Sequence, residues 1–132
     1  MNLFVVDTHA LHWYITGDRQ LSRRVKALLD SLVEPDSPNH VYVPTLVFAE
    51  ILALEEKRAT LPRFEAIIQQ VERMRGFTVV SLTSEIVQTA RNIVGVKEMF
   101  DRLIAATALS LEARLLTRDA VLSSLAMIET VW

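Results

Sequence analysis

Short apolar runs alternate along this chain with longer stretches of helical period, and that alternation limits the fold more than any other feature. Leu3-Phe4-Val5-Val6 is apolar at every position, as suits a strand buried on both faces. Val41-Tyr42-Val43, the β-branched run Phe77 to Leu82, Leu115-Leu116 and a weaker Met127 to Val131 repeat the signal. Helices are expected between them, near Ala10 to Ile15 and from Leu21 to about Val33, the second capped by Ser22. Pro44 and Thr45 open another through Leu54, and Arg63 to Arg75, started near Pro62, forms the next. Ser84 to Val94, Asp101 to Leu111 and Asp119 to Leu125 complete the set, while Gly76 and Gly95 fit helix stops. Pro35 to Asn39 reads as a loop. Strand and helix repeating at this spacing imply a parallel sheet with right-handed crossovers and helices on both faces. The expected fold class is α/β, a three-layer α/β/α sandwich around a central parallel sheet of four to five strands.

Composition narrows the setting. A chain of 132 residues suits one domain, 1–132, and 51% hydrophobic residues supply a core, which excludes wholesale disorder. With no cysteine there is no disulfide framework, thiolate zinc site or cysteine nucleophile. Asp7 interrupts an apolar N-terminal stretch that lacks a positive leader, and Pro44 and Glu50 interrupt the stretch Val41 to Leu54. Neither a signal peptide nor a membrane span is expected, and the cytoplasm is the natural location. A formal net charge of −2 argues against a general polyanion binder, so any nucleic-acid contact comes from local patches.

In sheets of this kind, sites form at the carboxyl edge of the strands. Asp7 directly follows the first strand, Glu50 is the one charge in Thr45 to Leu54, Asp101 opens an apolar helix, and Asp119 follows Leu115-Leu116-Thr117-Arg118. Each aspartate stands where helix capping alone would explain it. Glu50, one turn into a helix, has no such explanation; a partner arginine or a solvent-facing position is its plain alternative. If all four point to one rim, repulsion becomes the issue, since two carboxylates about 5 Å apart repel by roughly 3 kcal/mol at an effective dielectric near 20. A cation relieves that repulsion. An all-oxygen ligand set favours Mg²⁺ or Mn²⁺ over zinc, and such ions retain waters suited to phosphoryl chemistry.

Val5-Val6-Asp7-Thr8, Glu50 in the following long helix, Phe100-Asp101-Arg102-Leu103-Ile104-Ala105-Ala106-Thr107-Ala108 and Leu116-Thr117-Arg118-Asp119 together resemble the PIN domain, most closely the VapC-type toxin ribonucleases of toxin–antitoxin pairs. The resemblance covers essentially the whole chain. It implies that Asp7 and Asp101 are the main metal ligands, that Glu50 helps to orient the attacking water, and that Asp119 is the fourth, more variable acid. Thr117 and Thr8 would support the site through their hydroxyls. The implied reaction is Mg²⁺-dependent hydrolysis of RNA, leaving a 5′-phosphate and a 3′-hydroxyl. The implied partners are a small inhibitory antitoxin and a second copy of the chain in a homodimer. One departure stands out: many relatives carry a histidine and an Asp-Pro pair where this chain has Val96-Lys97-Glu98-Met99, and Glu98 is expected to be solvated.

Arg102 and Arg118, with Arg91 and Lys97, lie near the proposed rim as phosphate contacts or as counter-charges to neighbouring acids. His9 and His12 are expected to pack or be exposed, Trp13, Trp132, Phe64 and Met74 to be core or interface, and Glu55-Glu56-Lys57-Arg58 to be a solvated helix end. A phosphate-accepting receiver domain would need an acidic pair after the first strand and an acceptor after the third, where Leu82-Thr83-Ser84 has none. A haloacid-dehalogenase-like hydrolase would need a second aspartate two residues beyond Asp7, where His9 stands, and a dinucleotide site would need a glycine-rich first turn. The remaining alternative is a catalytically silent PIN-like module that binds RNA or protein. Such a scaffold has no chemical need for all four acids.

Overall fold

The computed structural model describes residues 1–58 and 63–132. Its five strands are β1 (Asn2–Val6), β2 (Asn39–Pro44), β3 (Phe77–Val80), β4 (Arg114–Leu116) and β5 (Thr130–Val131). They form one sheet in the order β3-β2-β1-β4-β5, and every neighbouring pair is parallel. Among the described residues seven helices flank it: α1 (Thr8–Thr16), α2 (Arg23–Asp30), α3 (Thr45–Arg58), α4 (Phe64–Arg73), α5 (Ser84–Ala90), α6 (Met99–Ser110) and α7 (Ala120–Ser123). The architecture is the α/β/α sandwich that the alternating pattern implies, with five strands in its sheet.

Central placement explains the unbroken apolar run of β1. Between β2 and β4 both of its faces are covered, and Phe4, Val5 and Val6 are at most 2% exposed. Leu115 and Leu116 of β4 are fully buried beside it. α6 packs on β1 and β4 and presents Ala105, Ala106 and Ala108 as buried residues, small side chains that suit close helix–sheet approach.

Several boundaries differ from the expected ones for identifiable reasons. Pro44 ends β2, paired with Val80, and α3 starts at Thr45; proline is tolerated at a strand end. α5 stops at Ala90, four residues before Val94, because the Arg102 guanidinium donates to the Ala90 carbonyl at 2.8 Å and the next amides turn back on the last helical carbonyls. The helix expected through Val33 becomes α2 plus a 3-10 turn, Ser31–Val33. The expected start of α4 near Pro62 lies outside the described residues. No described helix is long and apolar enough to cross a membrane.

Gly76 joins α4 to β3 with φ 81° and accepts the Val41 amide on its carbonyl at 2.9 Å, which sets where β2 meets β3. A Cβ there would stand 2.8 Å from the Leu32 Cβ. Gly76→Ala combines left-handed backbone strain with a core clash and is expected to cost about 2 kcal/mol. The check is the urea midpoint at unchanged m-value.

Candidate active site

Along the sheet the chain moves outward from β1 through β2 to β3, then returns to add β4 and β5 on the other side. The crevice at this reversal, beyond the carboxyl ends of β1 and β4, is where open α/β sheets place ligands. Asp7 leaves β1 there, its amide donating to the Leu116 carbonyl at 3.2 Å. Its Oδ1 accepts the Ala10 amide at 2.9 Å and caps α1. Thr117, fully buried just after β4, hydrogen-bonds to the Asp7 carboxylate and accepts the Asp119 amide on Oγ1 at 3.1 Å. Asp119 Oδ1 accepts the Leu122 amide at 2.8 Å and caps α7. Capping therefore does account for the position of Asp7 and Asp119, yet both still face one cleft.

Asp101 is different. Because α6 begins at Met99, Asp101 falls in the first turn and Glu98 takes the cap position without a side-chain capping bond. Half-buried Glu50, on α3, accepts a hydrogen bond from the Thr8 hydroxyl on Oε1. Asp7, Thr8, Glu50, Asp101 and Asp119 all line one cleft of about 810 Å³. Thr117 braces it from behind.

The electrostatics follow from this convergence. Burial pushes the Asp7 carboxyl above its usual range and Glu50 adds to the push, while the Thr117 and Ala10 hydrogen bonds and His9 pull it back. Asp101 is pushed up to about 6, first by burial and then by the negative charges of Asp119, Glu50, Asp7 and Glu98. Among the described residues no salt bridge reaches any of these acids; the two present are Lys26–Asp30 and Arg114–Glu129. Repulsion between oxygen donors that no salt bridge relieves fits a hard divalent cation. Among the described residues no group of three His, Asp or Glu side chains is arranged to hold a metal ion unaided. A cation held here would therefore take one or two of the carboxylates and complete its shell with water.

The basic residues divide. Arg102, expected at the rim, instead places its guanidinium against the end of α5, where it bonds to Ala90, and it does not line the cleft. Arg118 does line it, with its guanidinium carbon 4.5 Å from the Trp13 ring centroid. Arg91 and Lys97 are exposed away from the cleft, and Glu98 is exposed as expected.

Other cleft residues carried little or no sequence signal as functional groups. His9, His12, Trp13 and Trp132 line the wall, and burial lowers the His12 pKa. Glu55 corrects the expectation of a solvated charge run: Glu56, Lys57 and Arg58 are exposed, but Glu55 is buried. Its Oε2 accepts the amides of Arg63 and Phe64, both at 2.9 Å, tying the start of α4 to the end of α3.

The PIN domain family model matches residues 4–127. Among curated proteins no sequence matches. The fold is similar to that in the crystal structure of Rickettsia felis VapBC2 bound to a DNA fragment from their promoter, with TM-score 0.74, 12% identity and coverage of 98% of this chain and 97% of that one. It is also similar to Mycobacterium tuberculosis VapC20, a sarcin-ricin loop cleaving toxin, with TM-score 0.67, 18% identity and coverage of 96% and 97%. Neisseria gonorrhoeae FitAcB gives 0.66, 21% identity and coverage of 98% and 96%. At these identities the likeness is one of fold.

The raised Asp101 pKa makes a signed prediction. A carboxyl whose folded pKa lies above its unfolded value stabilises the fold while protonated, and that contribution is lost as pH rises from about 4 through 6. Metal-free Asp101→Asn is therefore expected to melt several degrees above the parent at pH 7, with the gap closing near pH 4. Millimolar Mn²⁺ or Mg²⁺ should raise the parent's melting temperature at pH 7 and leave the variant nearly unchanged. Thermal denaturation monitored by circular dichroism measures both.

Proposed function

The chain belongs to the PIN domain family, and from that premise we propose that it is a metal-dependent endoribonuclease, the toxin of a toxin–antitoxin pair. The observation that carries the reading is the convergence of Asp7, Glu50, Asp101 and Asp119, from four separate segments, on one cleft without a salt-bridged partner among the described residues. The solved structures of similar fold include a sarcin-ricin loop cleaving toxin and a Klebsiella pneumoniae toxin–antitoxin complex, which supports the same direction.

Asp7 and Asp101 are the residues to hold the cation, Mg²⁺ or Mn²⁺, since burial and mutual repulsion give them most to gain from a positive charge. When bound, such an ion would neutralise charge growing on the phosphate oxygens and lower the pKa of water. Glu50, whose Oε1 accepts from Thr8, is the group to orient the attacking water and take its proton. Water oxygen bonds to phosphorus as the bond to the ribose 3′ oxygen breaks, and that oxygen takes a proton from solvent, leaving a 3′-hydroxyl and a 5′-phosphate. Asp119 adds the fourth charge, and Thr117 holds Asp7 and the Asp119 backbone in one register. Arg118, the one arginine of the proposed pair at the cleft, faces the RNA.

The same reading makes residues 1–132 a single cytoplasmic domain that dimerises with a second copy and is inhibited by a small antitoxin covering the acidic cleft. Exposed Val87, Val94, Met99 and Phe100 around α5 and α6 provide apolar surface for such contacts. A catalytically silent RNA- or protein-binding module is the second reading, and the lack of a ready-made three-ligand metal group among the described residues favours it.

Cleavage of tRNA and ribosomal RNA fragments separates the two. With Mg²⁺ or Mn²⁺ the protein is expected to cut, while chelator, Asp7→Asn or Asp101→Asn lowers the rate by roughly a hundredfold or more. Equal cutting by parent and variants, or none with either cation, overturns the nuclease reading.

A further inference from the structure

Part of the cleft wall is aromatic. Trp13 and Trp132, the chain's two tryptophans, meet edge to face with ring centroids 6.0 Å apart, and His9 lies 5.4 Å from Trp13 at 47°. Arg118 stands over the Trp13 ring at 4.5 Å, and its side chain is otherwise exposed, held by a 3.4 Å bond to Gln20. All four side chains line the cleft that holds the carboxylates. Arg118 directly precedes Asp119, and His9 follows Asp7 by two residues, so part of the wall and two of the acids share the ends of β1 and β4, while Trp13 comes from α1 and Trp132 follows β5.

A guanidinium lodged only for charge would gain most by pairing with a carboxylate, and four line the same cleft. Arg118 instead lies over an indole that is 8% exposed, while no salt bridge to it forms among the described residues. Packing against Trp13 holds the guanidinium in place before any ligand arrives, which removes part of the ordering cost of stacking on it. Unpaired nucleobases stack on aromatic rings and on arginine planes, a mode closed to bases within a duplex.

We propose that Trp13, Arg118, Trp132 and His9 form a base-binding subsite that takes one unpaired nucleobase of an RNA strand and so sets its scissile phosphate against the acids. The inference rests on the ribonuclease reading for its substrate, but the subsite is defined by binding and not by cutting. Arg118 acts here as a positioning residue through the flat face of its side chain, and charge alone does not replace it. Trp13 supports that face, and half-buried Trp132 with exposed His9 offers the adjoining edge.

Both tryptophans belong to the wall, so intrinsic fluorescence reports the subsite without a label. In chelator, where no cleavage occurs, a single-stranded RNA hexamer is expected to quench the emission. A hexamer of equal charge carrying abasic sites, or a short duplex, should bind about tenfold more weakly or leave the emission unchanged. Arg118→Lys, which keeps the charge and loses the plane, should weaken hexamer binding about tenfold, lose the discrimination between intact and abasic hexamers, and lower kcat as well as raise KM. Arg118→Gln should do no worse than the lysine variant, and circular dichroism confirms that each remains folded. Equal binding of abasic and intact hexamers, or parental behaviour of Arg118→Lys, overturns the subsite even if metal-dependent cutting persists. Base-dependent quenching in a protein that cuts nothing upholds the subsite and removes the nuclease.

Discussion

Asp7 ties folding to chemistry. It is the first residue beyond a strand buried on both faces, its carboxylate caps the helix that follows, and the hydroxyl of Thr117 reaches it from the neighbouring strand. Parallel pairing of β1 with β4 brings Thr117 to that point, because strands hydrogen-bonded in one direction end on the same edge. From this one junction the other parts of the cleft follow in order. Thr117 holds the amide of Asp119, Thr8 reaches Glu50, and α6 lies across β1 and β4 with Asp101 in its first turn. The like charges so gathered oppose folding of the metal-free chain, and burial of the surrounding aliphatic residues carries that cost.

The acidic edge and the aromatic wall divide the work of the proposed nuclease. Carboxylates see the phosphate and the water, and are indifferent to which base is attached. Stacking sees the base and is indifferent to the phosphate charge. Joined by the backbone at Arg118-Asp119 and at Asp7-Thr8-His9, the two functions cannot move independently. Displacement of either junction would disturb alignment as well as affinity.

Much of this was legible in the sequence, for physical reasons. A strand covered on both faces must be apolar throughout, which revealed β1 and the parallel sheet, and the parallel sheet in turn placed Asp7 and Asp119 on one edge. Helix ends were less legible where tertiary contacts decide them: α5 is cut short by a guanidinium twelve residues away in sequence, and no local pattern encodes that bond. The same contact removed Arg102 from the rim. Glu55 looked solvated beside Glu56, Lys57 and Arg58, and only the approach of the α4 amides explains its burial. Trp13 and Trp132 are far apart in the chain, so their meeting depends on β5 completing the sheet beside β4.

The double duty of the capping aspartates has an evolutionary side. Asparagine accepts an amide hydrogen bond at a helix start about as well as aspartate does, and a single base change in the codon interconverts them. At Asp7 and Asp119 a lineage can therefore discard negative charge while retaining its scaffold. The proposed hydrolytic activity, resting on such positions, is easily disarmed without being unmade, and the folded remnant stays available for binding alone.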